Sequence, residues 1–408
     1  MKIHNIELLD NFYTHEKKNI AIFSDIFYPT LGGATFVVDS LAKSLQNRQD
    51  CNVVVVTGQV KNHEDSAPYP IIRCKSMPIP KTFGDSLPMP NYDKKFKNLL
   101  KKLNLDIIHI HTVFGVATFG ISFAQKYNIP IVFHGHSKFN EEYASIFNHK
   151  FNFISQRLAN RAFKIVNKAD LVFTVSRNTK DVYLTRGGIT KDIVVLENAT
   201  DLKPTNNEEE AKKYIFEKHG IDENQKNVFV IITRIEIKTK NLDLLLESLK
   251  NIKQKGEDFR LLVVGEGKDF AEVKKLAKSL GLEKEVVLVG LVRDREIIKY
   301  YYKRADLLTF PSVVDTSALV KYEAGTQKTP MLAIKNTGAS EEIIDNVNGF
   351  LADNTVKAYS EKLLEIISNP EKLQEVADEA HKTLSKSWDN VAEICVKHYE
   401  ELIKNKKG

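Results

Sequence analysis

The sequence contains little cysteine and no long apolar run. Its cysteines number 3 in 408 residues, and they stand far apart at Cys51, Cys74 and Cys395. This pattern excludes a disulfide framework or a cysteine-rich zinc site and indicates a reducing compartment. No apolar run approaches the roughly 20 residues that cross a bilayer, and the first residues lack the apolar core of a signal peptide. We therefore expect a cytoplasmic protein, or one held peripherally at the inner face of the plasma membrane.

A strong charge imbalance is also absent, because the formal net charge is only +6. Such a charge suits an anionic lipid surface or a phosphorylated ligand as well as a nucleic acid. The sequence has no zinc-finger spacing, no RNA-binding signature and no basic heptads. We therefore expect no nucleic acid among its partners.

What the sequence does have is a regular alternation of short apolar runs and helical patterns. Continuous apolar strands that alternate with helices are typical of parallel sheets covered on both faces. The alternation breaks at a polar run near residues 203–212, which we interpret as a linker, and then restarts. The predicted strands are Ile20–Phe23, Val53–Thr57, Ile107–His111, Ile131–His134, Leu171–Val175, Ile193–Leu196, Val228–Thr233, Arg260–Val264, Val286–Val289, Asp306–Phe310 and Met331–Ile334.

This alternation predicts an α/β protein of two doubly wound, Rossmann-like domains. A length of 408 residues fits two domains better than one. We place the first domain at residues 1–203 and the second at 204–386, and we expect the helix at 387–408, with Trp388 as its anchor, to pack back on the first. Ligands of such sheets bind beyond the carboxyl ends of the strands, so we expect the two domains to face each other across a cleft.

The stretch FPSVVDTSALVKYEAGTQKTP, residues 310–330, is the most informative segment. Asp315 and Glu323 bracket a polar loop and the first turns of a predicted helix. A helix start with free N–H groups attracts anions, and ionised carboxylates accept hydrogen bonds from hydroxyl groups. Recognition of phosphate and polyol on one strand–loop–helix unit predicts a nucleotide-sugar site. The alternative is an ordinary capped helix whose glutamate lies on a solvated face.

In order and spacing, these motifs resemble those of the retaining glycosyltransferases of family 4, which have the GT-B fold. The resemblance runs from about Asn19 to Tyr399. The second domain of that family carries a Glu-x7-Glu motif between a Pro-Ser and a Gly-x-Pro. The corresponding motif here is Asp315-x7-Glu323, between Pro311-Ser312 and Lys328-Thr329-Pro330.

The resemblance implies a role for each part of this motif. Asp315 would contact the hydroxyl groups of the donor sugar, and Glu323 would contact the ribose. The family more often has a glutamate in place of Asp315 and a glycine-containing run in place of Ser317 and Ala318, departures that bear on donor choice more than on the fold. The loop and helix start would meet the donor sugar and diphosphate through Thr316, Ser317, Ala318 and Leu319.

Two basic residues would flank the donor diphosphate, as the resemblance implies. Arg234 ends a predicted strand, and Lys240 precedes a predicted helix, with Lys238 as a rival for the same role. Arginine forks onto oxygen atoms and lysine supplies a point charge, so together they would neutralise the departing nucleoside diphosphate. The alternative is a pair of solvated basic residues in a loop.

Three glycine-containing segments complete the donor site that the resemblance implies. Gly265 would form a turn beneath the nucleotide, the backbone around Val292 would contact the nucleobase, and the loop that ends at Gly33 would lie against the diphosphate and the acceptor. Glycine lets backbone approach a ligand closely, although a plain turn is the alternative. Gly265 does not open a dinucleotide fingerprint, because Phe270 stands where a third glycine is required.

Four histidines lie near predicted strand ends, at positions 109, 111, 134 and 136. A metal site would need supporting carboxylates or cysteines, and none is well spaced, so we expect no metal and interpret these side chains as lining a cleft. The segment from His136 to Tyr143 resembles the active-site segment of family members that glucosylate diacylglycerol. The resemblance places His136 beside the anomeric centre of the donor.

Two segments are basic and amphipathic. Asp93–Leu103 has an apolar face of Phe96, Leu99, Leu100 and Leu103, and Lys150–Lys168 has one of Phe151, Ile154, Leu158, Ala162 and Ile165. Lysine-rich amphipathic helices bind anionic membrane surfaces. The alternative is that each helix packs on the core and its charged face is solvated.

Together these features and the resemblance predict a metal-independent hexosyltransferase with no cofactor beyond its co-substrate, a nucleoside diphosphate sugar that we expect to be UDP-linked. The resemblance alone implies that the transfer retains the configuration of the sugar. Its acceptor is expected to be a hydroxyl group of a glycolipid or diacylglycerol, with a polysaccharide or a protein as alternatives. Other classes remain open: a sugar-nucleotide epimerase, a dehydrogenase, or a non-catalytic subunit with a degenerate donor motif. The last is motivated by Asp315, Ser317 and Ala318.

Overall fold

A computed structural model describes residues 1–14, 16–30, 32–78, 86–146 and 151–407. The chain divides into two compact units. Unit 1 comprises Met1–Asn198 and Trp388–Gly408, and unit 2 comprises Ala199–Ser387. The helix that begins at Trp388 is thus part of unit 1, and the crossover into unit 2 lies slightly before the boundary predicted at residue 203.

The sheet of unit 1 has 8 strands in the order β1-β4-β3-β2-β7-β8-β9-β10. Its inner strands are mostly apolar because helices cover both faces, and every residue of β3 is buried. Only the edge strand β1 is antiparallel to its neighbour β4, which departs from the all-parallel expectation. The strands of unit 1, including the separate β5–β6 hairpin, are β1 (Lys2–His4), β2 (Lys18–Phe23), β3 (Cys51–Gly58), β4 (Ile71–Cys74), β5 (Ser76–Pro78), β6 (Ser86–Pro88), β7 (Ile107–Ile110), β8 (Ile131–Gly135), β9 (Leu171–Thr174) and β10 (Ile193–Val195).

The sheet of unit 2 has 6 strands in the order β13-β12-β11-β14-β15-β16, and all of its pairings are parallel. The strand order reverses between β11 and β14, so the loops that follow these two strands diverge at a switch point where ligands bind in such folds. The strands are β11 (Val228–Ile232), β12 (Arg260–Val264), β13 (Val286–Gly290), β14 (Leu307–Phe310), β15 (Met331–Ile334) and β16 (Phe350–Ala352).

The helices follow the predicted alternation, and the last one returns to unit 1, where it packs against α1. Trp388, at its start, is buried. The helices are α1 (Gly33–Asn47), α2 (Lys94–Leu100), α3 (Gly115–Tyr127), α4 (Phe139–Ile146), α5 (Asn152–Val166), α6 (Arg177–Thr185), α7 (Glu208–His219), α8 (Ile237–Lys240), α9 (Leu242–Gln254), α10 (Phe270–Ser279), α11 (Arg295–Arg304), α12 (Leu319–Thr326), α13 (Val356–Ile367), α14 (Pro370–Leu384) and α15 (Trp388–Lys407).

The predicted linker at residues 203–212 is wrong in its second part. Helix α7 begins at Glu208, and the Asn207 side chain caps it by accepting a hydrogen bond of 3.1 Å from the Glu210 N–H. Acidic residues in a first turn are stabilised by the helix dipole. The glutamate run that reads as a polar linker is therefore a helix start.

The structure bears on two exclusions made from composition. No helix in the part of the chain that is described is long and apolar enough to cross a bilayer. The three cysteines are free thiols and buried, so they contribute to the core of unit 1.

Candidate active site

The switch point of unit 2 brings Lys240 and Asp315 together. Lys240 ends α8 in the connection after β11, and Asp315 lies in the loop after β14. The Lys240 ammonium donates to both carboxylate oxygens of Asp315, at 2.9 and 2.7 Å. The Ser312 hydroxyl also contacts this carboxylate. The result is a half-buried ion pair at the carboxyl edge of the sheet.

The other two basic residues of this region are placed differently. The Arg234 side chain is 72% exposed and lies 3.1 Å from Glu236. Lys238 is directed to solvent and pairs with Asp243 at 2.6 Å. Lys240 is therefore the lysine that lies beside the acidic motif, and Arg234 is an exposed cation in the same connection.

Glycines allow the loops of this edge to pack closely. A Cβ on Gly265, which has a φ of +135°, would lie 1.9 Å from the carbonyl oxygen of Thr233. A Cβ on Gly338 would lie 2.4 Å from the carbonyl oxygen of Asp315. Each glycine thus supports a loop that carries a candidate residue, Arg234 in one case and Asp315 in the other. The close approach that Gly265 allows in this structure is to the backbone of the protein.

The start of α12 has the properties expected of an anion site. Ala318 occupies the N-cap position, and no side chain caps the helix, so the first N–H groups keep their hydrogen-bonding capacity. The hydroxyl oxygen of Ser317 is buried and has no hydrogen-bond partner among the described residues. Thr316 precedes it, and Leu319 is the first residue of the helix. These donors lie directly after Asp315 in the chain.

Glu323 lies on the same helix and is held from two sides. Its Oε1 accepts from Arg295 at 2.8 Å, and its Oε2 accepts from the Tyr302 hydroxyl at 2.7 Å. Arg295 also bonds Asp201 at 2.5 Å. Burial acts to lower the pKa of Arg295, but the carboxylates of Glu323 and Asp201 outweigh it and raise that pKa above its usual value. Burial raises the pKa of Tyr302 well above its usual range, so Tyr302 remains a hydroxyl donor.

The segment predicted beside the nucleobase follows β13. Gly290 has a φ of +85°, which favours glycine because L side chains are strained there. Val292 is half-buried and packs against the core of unit 2. The turn after β13 thus has its conformation set by Gly290 and its position set by Val292.

In unit 1, the predicted glycine loop corresponds to the connection between β2 and α1. Gly33 is the first residue of α1 and is exposed, whereas Leu31 lies outside the described residues. Asp25 in the same connection is half-buried and accepts from the Val116 N–H at 2.6 Å. Burial raises the pKa of Asp25 above its usual value. Asp25 thereby ties this connection to the start of α3.

The four histidines form one cluster at the carboxyl ends of β7 and β8. Ring centroids are 4.4 Å apart for His109 and His111, 5.0 Å for His111 and His134, and 4.5 Å for His134 and His136. His136 is the most accessible of the four. Burial lowers the pKa of His136 to about 4 and holds the pKa of the other three well below the usual value, with neighbouring histidines adding to the effect. All four rings are neutral at pH 7.

The two amphipathic segments differ in which face is buried. Helix α2 buries Phe96 and Leu100, as a helix packed on the core does. Lys150, the first residue of the predicted segment, lies outside the described residues. Helix α5 packs on the core partly through the predicted stripe: Ala162 is buried, and Leu158 and Ile165 are partly buried against the core. Its core-facing residues are Ser155, Ala159, Ala162, Phe163 and Val166.

The outer face of α5 carries only the start of the predicted stripe, Phe151 and Ile154, together with Phe153, which lies outside that stripe. Phe153 is 78% exposed and Ile154 is 45% exposed. Arg157, Arg161 and Lys164 line the same shallow groove. An outer face that combines exposed apolar side chains with basic ones is unusual for a helix that only packs on a core.

Comparison with known protein families shows to which family the chain belongs. Residues 31–203 match the model of "Glycosyltransferase Family 4", and residues 211–383 match that of "Glycosyl transferases group 1". The two models lie side by side along most of the chain. The chain belongs to glycosyltransferase family 4. The predicted family is thereby confirmed, and the protein is a glycosyltransferase.

Curated relatives of this glycosyltransferase span nearly its whole length. The alpha-monoglucosyldiacylglycerol synthase of Acholeplasma laidlawii is 25% identical over 401 residues, which cover 95% of this chain and 98% of that protein. The phosphatidylinositol N-acetylglucosaminyltransferase GPI3 subunit of Saccharomyces cerevisiae is 25% identical over 407 residues, which cover 94% of this chain and 83% of the relative.

Solved structures confirm the fold of the glycosyltransferase. Sucrose-phosphate synthase from Thermosynechococcus elongatus has a TM-score of 0.79 at 19% identity and covers 95% of this chain and 100% of its own. HepE of Anabaena, in complex with UDP-glucose, has a TM-score of 0.73 at 19% identity, with coverage of 94% and 99%. The predicted fold class, α/β of GT-B type with Rossmann-like domains, is confirmed.

Several residues of the glycosyltransferase site could not be found from sequence. Arg295 and Tyr302 hold Glu323, yet nothing in the helical pattern of α11 distinguishes them. Ser312 and Gly338 support Asp315 from positions that depend on the pairing of β14 with β15. Only the position of Ser312, three residues before Asp315 in the recognised motif, offered a signal.

Proposed function

We propose that this glycosyltransferase moves a hexose from a UDP-sugar to a hydroxyl group of a lipid, with diacylglycerol as the acceptor of choice. The transfer proceeds with retention of configuration and without a metal ion. The observation that carries this proposal is the pair of Lys240 and Asp315 at the switch point of unit 2, beside the uncapped start of α12.

The donor diphosphate is assigned to the cationic edge of unit 2. Lys240, Arg234 and the first N–H groups of α12 supply positive charge and donors there. Such groups stabilise the charge that develops on a departing nucleoside diphosphate. Because side chains and backbone fill this role, the proposal needs no metal ion for catalysis.

The two carboxylates are assigned to hydroxyl groups of the donor. Asp315 would accept from the sugar, while Lys240 turns part of its bonding capacity toward phosphate. Glu323 would accept from the ribose. A carboxylate has about four acceptor sites, so Glu323 retains capacity for the ribose while Arg295 and Tyr302 hold it in place.

His136 is assigned to the reacting face. Its low pKa keeps the ring neutral, so it can donate or accept a hydrogen bond without bringing a charge to the anomeric centre. We assign no covalent nucleophile. Retention is supported by the "alpha" in the name of the Acholeplasma relative, since an α-linked product from an α-linked donor keeps its configuration.

The lipid acceptor rests on the relatives and on the outer face of α5. Both relatives carry a lipid in their names, diacylglycerol in one and phosphatidylinositol in the other. The exposed Phe153 and Ile154 would enter the headgroup region, with Arg157, Arg161 and Lys164 beside anionic phosphates. We therefore propose a peripheral enzyme at the inner face of the plasma membrane.

Product analysis tests this proposal. The purified protein is incubated with UDP-glucose, UDP-galactose or UDP-N-acetylglucosamine and with anionic vesicles that contain diacylglycerol, with and without added magnesium or manganese ions. We expect one donor to give an α-linked glycolipid by NMR, at a rate that the added ions leave unchanged. A β-linked product or a strict requirement for the added ions would contradict the mechanism, and donor conversion without acceptor would identify an epimerase.

A non-catalytic subunit is the second candidate. Asp315, Ser317 and Ala318 depart from the usual donor motif, and the yeast relative is named as a subunit. Calorimetry with UDP, and with GDP and ADP as matched controls, distinguishes the two. Selective UDP binding with no turnover on any acceptor favours a non-catalytic subunit. Binding of GDP or ADP in place of UDP would change only the proposed nucleotide of the donor.

A further inference from the structure

Three histidines of unit 1 have no role in the proposed transfer. His109, His111 and His134 are 0, 4 and 1% exposed. The Nε2 atoms of His109 and His111 and both ring nitrogens of His134 are buried and have no hydrogen-bond partner among the described residues. Buried polar atoms are nearly always hydrogen-bonded, so a group of adjacent unpartnered nitrogens requires an explanation.

The three rings bring ring nitrogens close to one another. One ring nitrogen from each of the three histidines lies within 4.8 Å of one from each of the other two. The strand pairing brings this about, because β7 and β8 are parallel neighbours and residues two apart on a strand share a face. Nitrogens bound to one tetrahedral zinc ion are about 3.3 Å apart, given zinc–nitrogen bonds of about 2.0–2.1 Å. Small rotations of the rings would close the difference.

Outer contacts already orient two of the rings. His109 uses Nδ1 to bond the Tyr399 hydroxyl at 2.5 Å, and Tyr399 also bonds Cys395. His111 uses Nδ1 to bond Nε2 of His136 at 2.8 Å. In both residues the Nε2 atom remains for another partner. Metal-binding histidines are held in this way, with one nitrogen on the ion and the other fixed by a hydrogen bond.

We propose that His109, His111 and His134 bind one divalent transition-metal ion, of which zinc is the best match. Imidazole nitrogens suit zinc, copper, nickel and iron better than magnesium or calcium, which prefer oxygen ligands. The ion has a structural role: it fixes the ends of β7 and β8 and, through Tyr399, the helix α15. This proposal does not depend on the donor or acceptor of the transfer.

The ligand in the fourth coordination position of the zinc ion would complete the charge balance of the site. Three neutral imidazoles leave the charge of the ion uncompensated in a buried place. A water molecule in the fourth position would lose a proton near neutral pH when it is bound to zinc. Its hydroxide form lowers the net charge of the site. His136 lies on the accessible side of the cluster, where an ion and a water molecule would enter.

Metal titration of the full-length protein tests the proposal. After treatment with a chelator and its removal, we expect one zinc ion per chain by calorimetry, a tetrahedral visible spectrum with cobalt(II), and a higher melting temperature. His134→Gln should abolish binding, and His219→Gln, which changes a histidine of unit 2 that bonds Tyr301, should leave it unchanged. Zinc binding that persists in His134→Gln overturns the site.

A second, milder variant tests the site in case His134→Gln does not fold. Tyr399→Phe keeps the ring and removes only the hydroxyl that orients His109, so zinc affinity should fall about 10–100-fold. Unchanged zinc affinity in this variant would show that the hydrogen bond between Tyr399 and His109 does not orient His109 for the metal ion. If the unmodified protein binds no zinc or cobalt, the proposal is wrong whatever the variants do. UDP binding, assigned to unit 2, is measured in parallel and should be the same with and without zinc.

Discussion

Lys240 and Asp315 show how two residues 75 positions apart in sequence become one ion pair. The loop after β14 places the Asp315 carboxylate within direct reach of the Lys240 ammonium, although an aspartate is one methylene shorter than the glutamate that family 4 more often has. In the proposed reaction, the donor diphosphate would compete with Asp315 for this ammonium.

Lys240→Met should reduce the kcat/KM of transfer about 100-fold or more, because removal of one donor to a developing oxyanion has an effect of that size. Lys238→Met is the matched control, since its side chain is 87% exposed and pairs with Asp243. Steady-state kinetics with the active UDP-sugar measures both. Equal losses in the two variants would contradict the assignment of Lys240.

Arg295→Met should raise the KM for the donor more than it lowers kcat, because Arg295 orients Glu323 and does not touch the reacting atoms. Loss of hydrogen bonds to two carboxylates should also lower the free energy of unfolding by about 2 kcal/mol. Arg293→Met, at an exposed position near the start of the same helix, is the control. A fall in kcat with an unchanged KM would contradict a positioning role.

Glu342 supplies a test of pH dependence. Burial acts to raise its pKa, but the ammonium groups of Lys321 and Lys386 and the Tyr322 hydroxyl outweigh it and lower the pKa. Its contribution to stability is therefore present above the unfolded pKa of about 4.3 and is lost as the pH falls through the folded value. Glu342→Gln should be less stable than the unmodified protein at pH 7, and the difference should shrink toward pH 3.

Urea unfolding at several pH values measures this difference. Glu361→Gln is the control, because its carboxylate is 61% exposed and 4.0 Å from its partner Lys357. Its effect on stability should be small at every pH. A Glu342→Gln difference that stays constant between pH 7 and pH 3 would show that the ion pair does not stabilise unit 2.

Among the elements, the buried strands were predictable and the orientation of α5 was not. Continuous apolar runs such as those of β3 and β11 can be recognised as buried strands, because both faces of the sheet are covered. The edge strand β1 has three residues and no such run, so its existence depends on its neighbour β4. For α5 the periodicity shows a helix, but it does not show that the predicted stripe divides: Leu158, Ala162 and Ile165 pack on the core, whereas Phe151 and Ile154 are exposed.

The outer face of α5 should carry membrane binding. Replacement of Arg157, Arg161 and Lys164 by glutamine should weaken binding to vesicles that contain anionic lipid about 100-fold, since each charge near such a surface contributes about 1 kcal/mol. The same three-charge change at Lys94, Lys97 and Lys101 around α2 is the control. Vesicle sedimentation compares them. Equal weakening would mean that net charge alone attracts the protein.

At the scale of the molecule, the two Rossmann-like domains and the position of the donor motif were predictable from alternation and from the recognised family. The core of unit 1 is completed by α15, which buries Ala392, Cys395 and Tyr399. Deletion of residues 388–408 should therefore unfold unit 1 and expose His109, while unit 2 stays folded. Hydrogen exchange followed by mass spectrometry separates the two, and equal protection in both units would contradict this expectation.

The position of α15 in the chain has a consequence for biosynthesis. The ribosome releases the strands of unit 1 first, then the whole of unit 2, and only afterwards the helix that covers His109. Unit 2 can thus complete its core while unit 1 still lacks one wall. For that interval unit 1 cannot complete its fold, and the apolar side chains that α15 would cover remain exposed to solvent.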